Sequence, residues 1–161
     1  MDTEFSTYWT LYFHHPTNND WGIESYQKIT EIRTPKDFWN IFTDLGNDVI
    51  ENSMLFFMKE DLPPLWEDER NKNGGCWSFK IYKKNIAKTW IDLCSYILSN
   101  ELTVDSDDSS MITGVTISPK RSFSIIKVWN NDSSKNNTNL IKNDIPYVNL
   151  EESIYKAHGE R

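Results

Sequence analysis

An indole followed directly by three carboxylates stands in one loop of this chain: Trp66-Glu67-Asp68-Glu69, inside LPPLWEDERNKNGGCW from Leu62 to Trp77. Consecutive acids are most often a solvated face, and no nucleophile is spaced to work with these, so acid–base catalysis is not the natural reading. A carboxylate beside an aromatic ring suits binding better. It accepts hydrogen bonds and donates none, so it matches a partner edge with two adjacent donors. A second indole, Trp21, lies in HHPTNNDWG from His14 to Gly22, again among turn-forming residues where a tryptophan is hard to bury. The default role of either ring is an anchor folded back on the body. Two such loops off one sheet also make a pair of flat faces able to clasp a planar ligand.

Elementary physics narrows that ligand. A base stacked on an aromatic ring gains about 1–3 kcal/mol, and a cationic ring gains more because the indole face is negative. Guanine offers N1–H and N2–H₂ side by side, and a methyl group at N7 makes it cationic. Trp21, Trp66 and Glu67 therefore fit 7-methylguanine, the head of the mRNA cap.

Other chemistries find little support. His14, His15 and His158 have no cysteine or acid at metal-ligand spacing and read as surface residues. No nucleophile elbow, phosphate loop or dinucleotide glycine pattern is present, so no catalytic residue, metal or cofactor is expected. Cys76 and Cys94 read as two reduced, partly buried thiols of an intracellular protein. The net charge of -7 argues against a general nucleic-acid coat, while leaving room for a small nucleotide site with local cations. No apolar run approaches the roughly 20 residues of a membrane span. The start, MDTEFSTYWT, lacks the apolar stretch of a secretory leader. A cytoplasmic monomer is expected.

The elements that must position these residues are readable. The 161 residues suit one domain, 1–161. Strands are predicted over Thr7 to Phe13, Tyr26 to Arg33, Ser53 to Lys59 and Trp77 to Tyr82. A hairpin, Met111 to Ile117 and Phe123 to Trp129, turns around SPKRS. TPKDFWNIFTDLG reads as a helix: Thr34 caps it, Pro35 opens it, Asp37 completes a capping box, and Gly46 stops it. Phe38, Ile41, Phe42 and Leu45 make its apolar stripe, with Trp39 at the edge. Ile86 to Leu98 has the spacing of a helix packed on a sheet. Ser106 to Ser110 reads as a solvated turn. The tail holds a short helix near Asn139 to Asn143 and a last strand, Ser153 to Lys156. Trp9, Trp77 and Trp90 fall inside elements, so core packing is their expected role. The pattern is α+β, a curved antiparallel sheet with helices on one face.

Several stretches resemble the eukaryotic translation initiation factor 4E family, the mRNA cap-binding proteins. WEDERNKNGGCW is similar to the family's W-E-D-E-x-N-x-x-G-G-x-W, a long and specific motif. TPKDFWNIF resembles T-V-E-D-F-W-x-x-Y, WTLYF resembles W-x-L-W-F, and Asp20-Trp21 resembles the loop tryptophan that follows it. TWIDL resembles F-W-L-E-T, and GVTIS…VW resembles G-A-V-V-N…I-W. The resemblance runs from about Tyr8 to Trp129 and implies helices on the convex face of the sheet and cap-binding loops on its concave side.

The resemblance also implies roles. Trp21 and Trp66 match the indoles that sandwich the base, Glu67 the carboxylate on its N1 and N2 edge, and Trp129 the contact to the N7 methyl. The Trp66 backbone N–H would reach O6. Lys120 stands where the family has a phosphate-binding arginine. Trp39, with Pro35, Ile91 and Asp92, matches the convex face where scaffold or repressor proteins dock a helix carrying a Tyr-x-x-x-x-Leu-apolar motif. Three family cations are missing, replaced by Cys76, Ser122 and Ile125, and Pro35 replaces a valine. Arg121, Lys127 and Lys80 partly compensate, so a thinned phosphate clamp is expected, with a weaker dependence on the cap's phosphate chain. The implied function is cap binding and recruitment of a translation scaffold. The alternatives are a cap-binding repressor or competitor, and an interaction module of the same fold that no longer binds caps.

Overall fold

A computed structural model describes residues 3–159 of the chain; the first two residues, part of the reading of the start, lie outside it. Among the described residues, seven strands form one curled antiparallel sheet. They are β1 Trp9–His14, β2 Gln27–Ile32, β3 Met54–Lys59, β4 Gly75–Tyr82, β5 Ile112–Pro119, β6 Phe123–Asn130 and β7 Ile154–Ala157. Their spatial order is β2-β1-β3-β5-β6-β4-β7. Two helices, α1 Pro35–Asn52 and α2 Ile86–Leu98, cover one face.

The local signals of α1 act as read. Thr34 Oγ1 accepts the Asp37 N–H at 3.2 Å, the Asp37 carboxylate accepts the Thr34 N–H at 3.1 Å, and Pro35 occupies the first position. Gly46 interrupts the helix as read: its backbone is non-helical, with φ 76° and ψ 165°, a conformation that costs glycine little, and a second helical stretch follows across the kink to Asn52. The continuation is held by Ile50, which is fully buried against the sheet. Helix α2 buries Ile86, Trp90, Leu93, Cys94 and Ile97. Ser106–Met111 and Thr138–Leu140 form 3-10 turns, the second where a short helix is expected.

Strand alternation sorts the sheet's two faces. Leu11, Phe57, Trp77, Phe79, Ile81, Val115, Ile126 and Val128 join the helices in the main core, together with Trp9 and Trp90. The opposite face carries a smaller cluster, Phe56, Met58, Leu62, Cys76 and Trp129, with Tyr12, Tyr26 and Met54 packed on it. The two cysteines are free and buried, one in each cluster.

Strand β4 starts with a glycine pair for a steric reason. A Cβ on Gly74 would collide with the Asn130 backbone, and one on Gly75 with the Lys156 carbonyl. Only bare backbone lets β6 and β7 close on β4 from both sides at this point. The polar fittings agree: Asn130 Oδ1 accepts both the Gly75 N–H at 3.1 Å and the Tyr155 hydroxyl at 2.7 Å.

Candidate functional site

The loop from Leu62 to Gly74 is a run of turns fastened from within. Leu65 O accepts the Asp68 N–H at 3.2 Å, and Asp68 O accepts the N–H groups of Asn71 and Lys72 at 2.8 and 2.9 Å. Asn71 is fully buried, and its amide donates to Leu65 O at 2.8 Å and Pro63 O at 3.2 Å, tying the loop's end to its beginning. Once the loop is stitched in this way, Trp66 cannot fold into the core. It stays 45% exposed.

The same stitching separates the three acids. Asp68 accepts from the backbone and guanidinium of Arg70 at 2.9 and 3.1 Å, and these bonds hold its carboxyl below the usual range. Arg70 reaches on to Asp61 at 2.9 Å, and Glu69 pairs with Lys72 at 2.8 Å. Glu67 has no ion pair among the described residues and lines the pocket beside Trp66. The Trp66 backbone N–H likewise has no acceptor among them. Glu67 and the Trp66 amide are thus among the loop groups left for something else.

Trp21 is 48% exposed and lies on His14, ring centroids 4.0 Å apart and planes within 2°. The expectation that His14 is a surface residue fails: it is fully buried. Its ring nitrogens stand 3.0 Å from His15 O and 2.8 Å from Asp20 O, so backbone carbonyls fix the ring that supports Trp21. His158 also departs from its expected place. It is half-buried between Trp66 and Trp129, at ring distances of 6.5 and 4.8 Å. Burial first, then the Lys127 charge, lowers its pKa, and its Nε2 is buried without a partner among the described residues. Only His15 is exposed as read. Each loop tryptophan thus has a histidine beside it.

Trp21, Trp66, Glu67, Lys127 and Trp129 line a single pocket of about 340 Å³, floored by Phe56 and Thr116. Tyr26, which sequence reasoning missed, forms another wall. Its ring meets Phe56 edge-on at 5.1 Å. Burial and then the Glu67 charge push its hydroxyl up to about 12, so it remains a donor. Trp129 is buried, with an indole N–H that has no partner among the described residues. An apolar floor, two indoles, an unspent carboxylate and a lysine wall make a receptacle for a flat, donor-edged ring carrying an anionic tail.

The other predicted cations lie further off. Lys80 shares this face but rests its ammonium over Phe123 at 4.4 Å and Tyr82 at 5.4 Å. Lys120 and Arg121 are exposed at the β5–β6 turn and do not line the pocket. Trp39 is 56% exposed on α1, which packs on the opposite face of the sheet. Pro35 is exposed beside it on the first turn. Ile91 and Asp92 are half-buried on α2, Asp92 paired with Lys88 at 2.8 Å. The geometry therefore separates two sets, pocket residues on one face and the Trp39 set on the other. No helix among the described residues is long and apolar enough to cross a membrane.

A sequence model of eukaryotic initiation factor 4E matches residues 4–160. The chain is similar to the eukaryotic translation initiation factor NCBP of Arabidopsis thaliana, 33% identical over 113 residues, which cover 69% of this chain and 49% of that protein. It is also similar to eukaryotic translation initiation factor 4E of Saccharomyces cerevisiae, 28% identical over 137 residues, 81% of this chain and 62% of that one. The chain thus spans about half to three fifths of the length of these curated relatives. Among solved structures it is similar to C. elegans eIF4E-3 in complex with the 4E-binding protein Mextli and a cap analog. That match has a TM-score of 0.84 at 18% identity, over 98% of this chain and 94% of the other. Ascaris suum eIF4E-3 with m7G cap gives 0.73 at 21% identity, over 84% and 77%. At these identities the solved structures speak to the fold, and they share its α+β architecture. With the family model running through nearly the whole chain, this protein belongs to the eukaryotic initiation factor 4E family.

Proposed function

We propose that this chain binds the 7-methylguanosine cap of mRNA in the Trp21–Trp66 pocket and recruits a translation scaffold through the Trp39 face. The observation that carries the reading is the meeting of two half-exposed indoles from separate loops with Glu67, whose carboxylate has no ion pair among the described residues while its two neighbours are bound. In this reading the methylated base slides between Trp21 and Trp66, Glu67 accepts its N1–H and N2–H, and the Trp66 N–H donates to O6. Trp129 meets the methyl group, and Lys127 receives the first phosphate. The histidines flanking the indoles support the reading, because rings held in place before binding lose less conformational entropy on binding. The function is binding without catalysis.

Titration with 7-methylguanosine diphosphate, followed by tryptophan fluorescence, tests it. Quenching is expected in the wild type. Trp21→Ala or Trp66→Ala should each weaken binding by at least the 1–3 kcal/mol of a stacked face, roughly 5- to 150-fold, with the fold intact by circular dichroism. Wild-type affinity in either variant would sink the sandwich. A second reading, an interaction module that has lost caps, is favoured by Cys76, Ser122 and Ile125 standing where the family has cations. Absence of quenching in the wild type, with a scaffold peptide still bound, would establish it.

A further inference from the structure

The pocket face continues past Trp129 onto β4 and β7, and strand register defines what lies there. Trp129 pairs with Cys76, and Cys76 pairs with Lys156 on the other side. One step along, Lys127 pairs with Ser78, and Ser78 with Ile154. Lys156 therefore projects on the same face as Lys127, Trp129 and Cys76. The Cys76 thiol lies between the two ammonium charges and is influenced by both, although burial is the stronger effect and raises its pKa.

This face holds no acid along five neighbouring strands. Its residues are Met54, Phe56 and Met58 on β3, then Gly114, Thr116 and Ser118 on β5. Ile125, Lys127 and Trp129 on β6 and Cys76, Ser78, Lys80 and Tyr82 on β4 follow, and then Ile154 and Lys156. In a chain of net charge -7, with 24 acids, that is a marked local exclusion. Neither Lys127 nor Lys156 has an ion pair among the described residues, and both are exposed. Two strand spacings and two residues along put their Cα atoms about 12 Å apart, and lysine stems are long enough to bring both ammonium groups onto one short polyanion between them. Lys156 is also held in register, since β7 packs against the bare backbone of Gly75.

We propose that Lys156 binds the phosphate chain of the cap nucleotide, opposite Lys127, over Cys76 and Ser78. Cys76 itself is buried and carries no cation, and the cation on that part of the face comes from the neighbouring strand. The proposal rests on the cap-binding reading of the Trp21–Trp66 pocket. It also changes the expected behaviour of the clamp: one of the three missing cations is replaced across the register, so affinity should still climb with phosphate number.

The test titrates 7-methylguanosine and its mono-, di- and triphosphate against wild type, Lys156→Gln, Lys156→Arg and Lys88→Gln, a control on α2, by tryptophan quenching at two salt concentrations. Lys156→Gln should leave nucleoside affinity unchanged and lower di- and triphosphate affinity about three- to tenfold, as expected for an exposed charge-assisted contact. Its salt dependence should fall by about one released counterion. Lys156→Arg should retain wild-type phosphate dependence, and Lys88→Gln should match wild type. Unchanged di- and triphosphate affinity in Lys156→Gln, with wild-type quenching intact, overturns this proposal alone. Equal losses for nucleoside and triphosphate overturn it as well. A wild type that no analogue quenches overturns the cap reading and this proposal together.

Discussion

Replacing Glu67 with glutamine isolates the hydrogen-bonding edge of the pocket. Glutamine keeps the shape but can accept with only its carbonyl oxygen, and its amide nitrogen would face one of the guanine donors. Among the described residues no cation pairs with this carboxylate, because Arg70 is spent on Asp68 and Asp61 and Lys72 on Glu69. The loss is therefore that of a single hydrogen bond to a charged group, about 1.5–3 kcal/mol or roughly 10- to 150-fold in Kd. The lower part of the range is expected, since Glu67 is exposed to water. The assay is fluorescence titration with 7-methylguanosine and 7-methyladenosine diphosphates, and selectivity for guanine should fall by the same factor. Glu69→Gln should match wild type. If Glu69→Gln weakens binding as much as Glu67→Gln, or if Glu67→Gln retains guanine selectivity, the assignment of the free carboxylate is wrong.

Trp39→Ala should abolish binding of a helical scaffold peptide while leaving cap titrations unchanged, because Trp39 lies across the sheet from the pocket; equal loss of both would mean a folding defect. His158 gives a pH signature. Its folded pKa lies below the ordinary 6.5, so the unfolded chain takes up the proton first. The neutral ring's contribution to stability is complete above pH 6.5 and is lost as pH falls through the folded pKa. Denaturant midpoints measured between about pH 8 and 5 should fall less steeply in His158→Phe than in wild type, and superimposable profiles would refute this assignment.

How far the sequence foretells this arrangement depends on the range of the interactions involved. Helix α2 is legible from its apolar spacing and the start of α1 from Thr34, Pro35 and Asp37, because these signals act within a few residues. Gly46 is legible as a stop, but the second helical stretch behind it is not, since it is held by a distant gain, the burial of Ile50. His14 reads as a loop residue from its neighbours, yet its burial follows from Trp21 returning onto it. Trp66 and Glu67 are legible from a long motif. The difference between Glu67 and its two acidic neighbours is not, since it comes from the partners taken by Arg70 and Lys72. His158 reaches the pocket through the pairing of β7 with β4, which crosses much of the chain, and Tyr26 through its edge-on contact with Phe56 on β3, and no local pattern marks either.

The position of β7 has a consequence for the order of assembly. It is an edge strand, paired in the sheet with β4, and it is made long after the strand it joins. During synthesis the chain can pair β1, β2 and β3 and place Trp21 on His14 early. Strand β4 must wait with one side uncovered, and Trp66 with no His158 beside it, until β7 is made. Closing that long separation is the slow kind of contact, and edge strands belong to the easily opened part of a fold. The receptacle is thus completed late and opened easily, and an occupied site would slow hydrogen exchange most at the amides joining β7 to β4.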